Sequence, residues 1–548
     1  MSIGMELLKE HKYEELWARY CGFVDLTMEE FMAMQRHLLL EQLGLLRVCQ
    51  LGQDIMAGAT PRTVDEFRAL VPLKTYEDHA AYLNEQREDL LPAKPVLWQR
   101  TSGTSSGNGF KWAPITQRMY EEMGRAAFAV LLLSTCKNRG DINFDQHEKI
   151  LYALAPPPFA TGCWGRLISG ELPLQFLPSL GEAEEMTFEE RMAVGLREGL
   201  SQGIDLLLGM PSVLVAIGER LGQKKTGAGA KELLSLLSRP RALLRMANGL
   251  MKSKLSRRPL MPKDLWSLRG LATTGRDISI YRERIRELWG VEPLDVYGCT
   301  EGLIIAMQTW DRQGMTFLPY FHFLEFIPEE EVAKSSANEG YQPSTVLMDE
   351  VEAGKNYEIV ITNFHGGAFI RYRLGDMVSI TSLDNEKLNV KLPQMTFYSR
   401  CDGLIDLAGF TRLTERTIGE AINLASVDCE EWTARKESEK SPVLHLYLEL
   451  RCNDKPSVQV VETAIHEQLK KIDRSYAETE TMLALSPLKV SLLPGGSFRR
   501  YAARQRAEGA DLAHLKPPHI NPSDDAIEAL LNGRPAVRET TAVRVGSP

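Results

Sequence analysis

Apolar residues recur at helical spacing through the first part of the chain. They return every three to four positions over Met5–Trp17 and again over Met28–Leu46, which predicts a helical start within residues 1–95. The longest apolar runs, around Ala126–Leu133 and Leu206–Ile217, are too short or too interrupted to span a bilayer. The pattern therefore predicts packed amphipathic helices and no membrane-spanning segment.

Beyond residue 95 the pattern changes to short apolar runs that alternate with helical stretches. The runs that predict buried strands are Val96–Trp98, Ile150–Leu154, Ile204–Gly209, Leu268–Thr273 and Leu294–Val296. Helical patterns follow at Met119–Cys136, from Met210 to Leu221, and at Tyr281–Trp289. Alternation of this kind builds parallel sheets that bind ligands at the carboxyl ends of their strands. The stretch Ala155–Leu180, rich in Pro and Gly, is predicted to be a long irregular loop.

From Phe317 onward, aromatic and alternating strands predict an antiparallel β-subdomain. These strands are Tyr320–Pro328, Tyr357–Thr362 and Ala368–Ile380, and Ser335–Gly340 is expected to form an exposed loop. A small α+β domain follows, with strands near Leu444–Arg451 and Leu488–Leu493, helices near Val458–Ile472 and Phe498–Ala507, and a loosely held tail over Asp524–Pro548. The fold class is α/β. We expect a large N-terminal domain over residues 1–401, with a helical start, parallel sheets and the β-subdomain, and a small mobile C-terminal domain over residues 402–548.

Length, charge and cysteine pattern narrow the classes of function. At 548 residues, the chain is too long for one ordinary core. A net charge of −9 disfavours nucleic-acid binding, which depends on neutralising phosphates. The first residues lack the basic-then-apolar order of a signal peptide, and the eight cysteines are scattered singly, as is usual in a reducing cytoplasm. We therefore expect a cytoplasmic protein that binds neither nucleic acid nor membranes.

A stretch rich in glycine and hydroxyl side chains follows the first predicted strand. Its backbone amides can approach a ligand closely and form an anion site. The residues that suit a triphosphate are Thr101, Ser102, Gly103, Thr104, Ser105, Ser106 and Lys111. The stretch is not a Walker loop, since no Ser or Thr follows Lys111, and a flexible Ser/Gly linker has a similar composition. The helix predicted at Met119–Cys136 would complete a strand–loop–helix unit that aims a helix N-terminus at the anion.

Three later motifs offer further nucleotide chemistry: Tyr297–Gly302, Arg371–Asp376 and Ser399–Asp402. Glu301 provides the carboxylate that Mg²⁺ takes beside phosphate oxygens, and Tyr297 provides a flat face for a purine. Asp376 suits ribose hydroxyls, and Arg400 suits the same sugar or a phosphate. Each residue alone also fits a structural role, as a helix-start charge, a turn cap or a surface ion pair. Their order along the chain favours nucleotide binding.

In order and spacing, the motifs resemble those of the adenylate-forming superfamily of acyl-CoA synthetases, peptide-synthetase adenylation domains and luciferases. The chain is more closely similar to the Gretchen Hagen-type acyl acid amido synthetases of the auxin-responsive promoter family, in a bacterial-type form. The segments that carry this likeness are Val71–Asp78, Tyr357–Thr362, Phe369–Asp376, Pro494–Phe498, Gly509-Ala510 and Leu515–Pro518. The likeness extends over residues 65–520. Phe110 in place of proline and Ser399 in place of glycine depart from the superfamily pattern.

The resemblance implies the adenylate-forming enzyme fold, ATP and Mg²⁺ as cofactors, and a reaction in two steps. A carboxylate attacks the α-phosphate of ATP, which gives an acyl-adenylate and pyrophosphate, and an acceptor then displaces AMP. Nucleotide binding falls to the loop residues named above and to Gly275, Tyr297, Gly298, Thr300, Asp376 and Arg400. Catalytic roles fall to Thr104, to Glu301 as the metal ligand, and to Lys516 as a mobile lysine, although Lys516 also fits a surface position. Asp402 fits a hinge between the two half-reactions.

The acceptor and the acyl pocket stay open at this point. An amine such as an amino acid would make the protein an amide-forming ligase, and a thiol would make it an acyl-CoA or carrier-protein ligase. The chain has no carrier attachment motif of the Leu-Gly-Gly-x-Ser kind, so a carrier protein would be an external partner. A non-catalytic nucleotide-binding protein is the third hypothesis. Position suggests Trp164, Pro211, Leu214 and Cys299 for the acyl pocket, and each also fits simple core packing.

Overall fold

The computed structural model describes fourteen stretches of the chain, which form two compact units. The stretches are residues 3–104, 110–143, 147–154, 160–172, 174–223, 239–275, 278–338, 340–401, 405–407, 411–438, 442–451, 456–483, 487–507 and 519–532. The first unit comprises Met1–Asp402 with two short later pieces, Ala408–Arg412 and Thr481–Ala484, and the second comprises the remainder. Each unit has its own hydrophobic core.

Helices dominate the start of the first unit, as predicted. Helix bounds in this unit are Ile3–Lys9, Tyr13–Tyr20, Met28–Leu46, Gln50–Ile55, Val64–Leu70, Tyr76–Leu83, Gln117–Thr135, Ala160–Glu171, Leu180–Glu184, Phe188–Gln202, Pro211–Gln223, Pro240–Leu255, Pro262–Leu265, Ile278–Trp289 and Glu329–Ala337. Short 3-10 turns cover Gly22–Asp25, Glu88–Leu90 and Glu386–Leu388. Helix Met28–Leu46 begins at a capping box, in which Thr27 and Glu30 each accept a backbone amide of the other.

One eleven-stranded sheet forms the centre of the first unit. Its strands in chain order are β3 (Lys149–Ala153), β4 (Gln175–Leu177), β5 (Leu206–Gly209), β6 (Gly270–Thr274), β7 (Leu294–Cys299), β8 (Leu303–Gln308), β9 (Met315–Phe317), β10 (His322–Pro328), β11 (Asn356–Asn363), β12 (Tyr372–Ser382) and β13 (Gln394–Arg400). Across the sheet the order is β10-β11-β12-β13-β9-β8-β7-β6-β5-β3-β4. Strands β3 to β7 are parallel and the others antiparallel.

The predicted α/β class is therefore confirmed, with one difference in how its two parts join. The sequence predicts that the antiparallel strands form a β-subdomain within the large domain. Strand β8 pairs with β7 on one side and with β9 on the other, so the parallel and antiparallel halves share one continuous sheet. This continuity brings motifs on β7 and β12 into one hydrogen-bonded framework.

The two ends of the glycine-rich stretch lie on paired strands, not between a strand and a helix. Strand β1 (Pro95–Thr104) pairs with β2 (Phe110–Thr116) in an antiparallel ribbon outside the large sheet. The strand predicted at Val96–Trp98 is present as part of β1, but Val96 is exposed, so the expected burial is wrong. Helix Gln117–Thr135 begins only after β2, which means that the predicted strand–loop–helix unit is wrong as well.

Two predicted loops contain regular structure. The stretch Ala155–Leu180 includes helix Ala160–Glu171 and strand β4. Its glycines obscured the helix in the sequence, whereas the buried side chains of Trp164 and Ile168, four residues apart, fix it against the core. The predicted loop Ser335–Gly340 is partly wrong for a related reason, since its first residues end a helix that starts at Glu329.

The second unit has the α+β character expected of it. Past residue 402 the strands are β14 (Ile405–Leu407), β15 (Thr411–Leu413), β16 (Cys429–Ser438), β17 (Pro442–Leu450) and β18 (Leu488–Leu492), and the helices are Glu415–Leu424, Val458–Ile472, Arg474–Leu483, Ser497–Ala507 and Asp524–Asn532. Strand β17 pairs antiparallel with β16 and parallel with β18. The predicted loose tail is wrong for Asp524–Asn532, because Ile527 and Leu530 are buried there, and residues 533–548 lie outside the described residues.

Candidate active site

A tight turn between β7 and β8 carries the first motif. Tyr297, Gly298 and Cys299 end β7, and the chain reverses through Thr300 and Glu301 into β8. A Cβ at position 298 would lie 2.0 Å from the carbonyl oxygen of residue 303, so only glycine fits there. The Cys299 thiol accepts the backbone N–H of residue 302 at 3.2 Å. Glu301 is therefore held in a rigid turn and is only 6% exposed.

Tyr297 joins this turn to the motif on β12. Its hydroxyl donates a hydrogen bond of 2.9 Å to Asp376 Oδ2, and both side chains are buried. The Tyr297 ring lies 6.2 Å from the ring of Phe397, centroid to centroid. Asp376 is the β-sheet partner of Arg400 on β13. One side-chain hydrogen bond and one strand pairing thus bring three of the predicted nucleotide-binding positions together.

Glu301 and Lys111 meet at the hydroxyl group of Tyr372. Tyr372 donates to Glu301 Oε1 at 3.2 Å, and Lys111 Nζ donates to the same hydroxyl oxygen at 3.3 Å. The structure therefore brings the lysine of the glycine-rich hairpin to the predicted metal ligand. The phenol that links them was missed by sequence reasoning, although Tyr372 lies within the motif Arg371–Asp376.

Aromatic side chains fix Tyr372 and Lys111 in place. The Tyr372 ring packs against Phe369 at 4.7 Å and meets the imidazole of His79 edge-on at 5.8 Å, both measured between ring centroids. Lys111 Nζ lies 5.3 Å from the centroid of the Tyr76 ring, a distance typical of a cation–π contact. Burial raises the pKa of Tyr76 to about 12, so its phenol stays neutral. Tyr76 was quoted only as part of the family likeness, and no chemical role was predicted for it or for His79.

Backbone and side-chain hydrogen bonds join the segment around Val71 and Lys74 to the start of β12. Lys74 donates its backbone N–H to the carbonyl of Arg371 at 2.9 Å, and Arg373 returns one to Lys74 at 2.8 Å. Arg371 forms two hydrogen bonds to Glu325, of 2.9 and 2.7 Å, and also donates to the carbonyl of Val71. Arg373 is likewise paired with a carboxylate. These arginines therefore build the framework that aims Tyr372, between them, at Glu301.

A buried histidine, His322, holds the Glu301 turn through hydrogen bonds. His322 Nε2 donates to the carbonyl of Gly302, and its Nδ1 accepts from the Asn363 amide at 3.1 Å. The same amide also donates to the backbone carbonyl of Glu301 at 3.1 Å. Burial lowers the pKa of His322 to about 3. The ring is therefore neutral, and this tautomer is the one that holds the turn.

The four residues predicted for the acyl pocket lie in different parts of the first unit. Pro211 lies beside Gly275 at the ends of β5 and β6: a Cβ on that glycine, whose φ is +145°, would stand 3.3 Å from the proline ring. Leu214 is fully buried, and its carbonyl accepts the indole N–H of Trp289 at 3.0 Å, so it serves the core. Trp164 is also buried, on helix Ala160–Glu171, and Cys299 lies in the Glu301 turn.

Several predicted site residues stand outside this geometry. Thr101, Ser102, Gly103 and Thr104 lie on β1 by their backbone, whereas Ser105, Ser106, Asp402 and Lys516 lie outside the described residues. In the described ranges, no cluster of three or more His, Cys, Asp or Glu side chains is placed to hold a metal ion. Glu301 as a lone carboxylate still suits Mg²⁺ that arrives on a nucleotide, because such an ion takes one or two carboxylates and completes its shell with phosphate oxygens and water.

The fold built on this sheet is shared with ligases of known structure. The structure is similar to an AtGH3.15 acyl acid amido synthetase in complex with 2,4-DB, with a TM-score of 0.50 and 16% identity over 93% of this chain and 94% of that one. It is also similar to a 2-hydroxyisobutyryl-CoA ligase in complex with 2-HIB-AMP and CoA, with a TM-score of 0.51 and 17% identity over 82% of this chain and 86% of that one.

The chain belongs to the GH3 family. Residues 21–157 match the GH3 family N-terminal domain, residues 315–400 the central domain and residues 414–525 the C-terminal domain, which together cover more than half of the chain. The resemblance drawn from the motifs is thereby confirmed. The candidate site combines residues of the first two matched regions with the β7–β8 turn, which lies between them in sequence.

Curated relatives match a smaller part of the chain. A jasmonoyl–L-amino acid synthetase of Oryza sativa subsp. japonica is 27% identical over 46% of this chain and 45% of its own length. An indole-3-acetic acid-amido synthetase of Arabidopsis thaliana is 25% identical over 37% of this chain and 34% of its own length. The chain thus spans less than half the length of these relatives. In the described part of the chain, no helix has the length and apolar character needed to cross a membrane.

Proposed function

We propose that this protein activates a carboxylic acid with ATP as an acyl-adenylate and transfers the acyl group to an amine, an amino acid in the simplest case, to form an amide. Membership of the GH3 family supports the proposal, as do the names of the curated relatives, which are amido synthetases. One observation carries it: Lys111, Tyr372 and Glu301, from three distant segments, converge on a single phenol oxygen.

The converging groups have the charges that a magnesium nucleotide requires. An ammonium group neutralises phosphate oxygens, and a carboxylate binds the metal ion that those oxygens carry. Tyr372 spaces the two charges, because it accepts from Lys111 and donates to Glu301. Both charges are therefore positioned before the nucleotide arrives, which lowers the reorganisation needed in the transition state.

The remaining roles follow from the same arrangement. The hairpin residues Thr101, Ser102, Gly103, Thr104, Ser105 and Ser106 would bind phosphates with Lys111, Tyr297 would stack on adenine, and Asp376 with Arg400 would hold ribose, near Gly275, Gly298 and Thr300. Lys516 would bridge the acid and the α-phosphate, and Asp402 would serve as the hinge of a mobile C-terminal domain over residues 402–548. Mg²⁺ bound by Glu301 would supply charge neutralisation on the pyrophosphate leaving group. We further propose a cytoplasmic location, which the scattered single cysteines support.

Acid-dependent exchange of labelled pyrophosphate into ATP tests the first step. Glu301→Gln preserves the size of the side chain and an acceptor for Tyr372 but removes the negative charge, and it should abolish exchange with every acid that the wild type accepts. The matched control is Glu287→Gln, which removes a charge on the exposed face of helix Ile278–Trp289 and should exchange normally. Normal exchange in Glu301→Gln would contradict the metal assignment.

The nature of the product separates the hypotheses for the second step. With an acid that supports exchange, the wild type should form an amide when an amino acid is added and no thioester when coenzyme A is added. Thioester alone would make the protein an acyl-CoA ligase. If the protein binds nucleotide but shows no pyrophosphate exchange with any acid of a broad panel, it is a non-catalytic nucleotide-binding protein.

A further inference from the structure

A small cavity lies beside the carboxyl end of β3, away from the Glu301 cluster. Tyr152, Phe176, Leu180 and Arg191 line its interior, and the ion pair of Arg166 with Glu184, at 2.6 Å, lies at its rim. Tyr152 and Arg191 are buried, with 6% and 4% of their surfaces exposed. The cavity therefore combines aromatic and aliphatic walls with one buried cationic side chain.

Arg191 has no carboxylate partner among the described residues. One terminal nitrogen donates to the carbonyl of Leu154, and the guanidinium lies 5.4 Å from the ring centroid of Phe188. Its Nε has no hydrogen-bond acceptor in the described part of the chain. Burial lowers the pKa of Arg191, and the Tyr152 phenol opposes that shift. A buried guanidinium without a counter-charge is costly, and a bound anion would offset that cost.

Local structure adds to the positive potential around this side chain. Arg191 lies in the first turn of helix Phe188–Gln202. Thr187 and Glu190 form a capping box at the N-terminus of this helix. Cations are unfavourable near a helix N-terminus, because the helix dipole is positive there. The positive charge of Arg191 is therefore destabilised at this position unless an anion is bound to it.

The cavity lies on the edge of the sheet where ligands of this fold class bind. Leu154, whose carbonyl Arg191 contacts, directly follows β3, and β3, β5, β6 and β7 run parallel as consecutive neighbours. Three strand spacings separate β3 from β7, or about 14 Å. That distance is on the scale of a small extended organic molecule.

We propose that Arg191, with the Tyr152 phenol beside it, binds a carboxylate group of one of the small-molecule substrates at this cavity. The carboxylate has two chemical sources in an amide-forming ligase: a second acid group on the acyl substrate, or the acid group of the amino-acid acceptor. Arg191 is then a specificity-determining residue that selects substrates by an anion remote from the reacting carboxyl group. The inference rests on the proposed function for its substrates, but the binding of a carboxylate to Arg191 is independent of turnover.

The experiment compares substrates that differ only in the remote carboxylate. Pyrophosphate exchange is measured with adipate against hexanoate and with isophthalate against benzoate, and amide formation is measured with glycine against glycinamide. One of these preferences should favour the added carboxylate in the wild type and fall roughly 10-fold or more in Arg191→Met, the size expected for hydrogen bonds to a charged group. Arg197→Met, on the exposed face of the same helix, should keep the preference.

A binding measurement keeps the inference separate from the proposed function. Without ATP, adipate or glycine at saturating concentration should raise the unfolding temperature of the wild type above a sodium chloride control of equal ionic strength, and should not do so in Arg191→Met. If Arg191→Met does not fold, Arg191→Lys is used, and its preference should fall while its charge remains. Absence of exchange with every acid would overturn the proposed function. Equal preferences and equal unfolding temperatures in the wild type and the variants would overturn the carboxylate site.

Discussion

Tyr372 is the residue on which the candidate site depends most directly. It lies between two arginines whose partners are buried carboxylates, and its own ring is wedged against Phe369 and His79. The ring therefore has little freedom to move, and its hydroxyl is presented to Glu301 and Lys111 at fixed distances. Tyr372 acts through Glu301 and Lys111, so it is a positioning residue.

Tyr372→Phe should weaken the site without disturbing the fold. The ring packing remains, while a hydrogen bond to a charged group, of about 1.5–3 kcal/mol, is lost. We expect the apparent affinity for Mg²⁺ in pyrophosphate exchange to fall by roughly 10- to 100-fold, with unfolding temperature nearly unchanged. Tyr82→Phe removes a phenol–carboxylate bond to Asp54 on the surface and should leave exchange as it is. An unchanged magnesium dependence in Tyr372→Phe would rule out the positioning role.

For single residues, sequence reasoning identified charged side chains more readily than the neutral side chains that position them. Glu301 and Lys111 were predicted because their chemistry is explicit in the side chain. The phenol between them was not, since a tyrosine beside arginines in a strand gives no sign of which face it takes. Leu214 was suggested for the acyl pocket by position alone, and that role stays a prediction: its side chain is fully buried and its backbone carbonyl accepts from Trp289.

The β7–β8 turn is the element whose stability is expected to depend on pH. His322 holds the turn only as a neutral ring, with Nδ1 accepting from Asn363 and Nε2 donating to Gly302. His79 is also buried and neutral, with burial lowering its pKa to about 4, but its Nδ1 faces the carbonyl of Thr75 instead. Protonation of either ring removes an acceptor that the fold uses.

Acid should therefore destabilise the first unit. The folded pKa of His322 is about 3, below the value of about 6.5 expected in the unfolded chain, so the unfolded state binds more protons between these limits. Stability is full above about pH 6.5 and falls as the pH is lowered, by about 2 kcal/mol per histidine at pH 5. His322→Gln should be less stable at pH 7.5 but should lose less on acidification.

Urea denaturation at pH 7.5 and pH 5 measures this slope. His37→Gln is the control, because that imidazole is exposed beside Glu41 and should leave the acid dependence unchanged. A His322→Gln protein with the same pH dependence as the wild type would show that the ring titrates normally.

Among the elements, those with a clear period were predicted with the correct type and the others were not. Helix Gln117–Thr135 and strand β5 were anticipated within two residues at each end because their apolar patterns are continuous. Helix Ala160–Glu171 was missed because three glycines lower its intrinsic propensity, and tertiary burial of Trp164 overrides them. The hairpin β1–β2 was missed because its Ser- and Gly-rich sequence was interpreted as a phosphate-binding loop.

At the scale of the whole molecule, two cores imply two unfolding events. The first unit is built on the eleven-stranded sheet and the second on the three-stranded sheet, with separate clusters of buried side chains. The sequence indicated this division through the change from β-α alternation to a short α+β pattern. It gave no sign that the two halves of the large sheet are continuous, because strand order depends on pairings between distant segments.

Calorimetry should resolve these two events, and core substitutions should assign them. Leu446→Ala on β17 removes a fully buried side chain from the second unit and should lower one transition, at a cost of about 2–5 kcal/mol. Leu207→Ala on β5 should lower the other transition by a similar amount. A single transition that both variants shift equally would mean that the units unfold as one.

The pairing of Arg371 with Glu325 and of Arg373 with Glu358 has a practical consequence for anyone who wishes to engineer this protein. Saturation libraries at these two arginines would fill with proteins that misfold, since each change strands a carboxylate inside the sheet. Substitutions are better placed around the cavity beside Arg191, where side chains such as Phe176 and Leu180 border space.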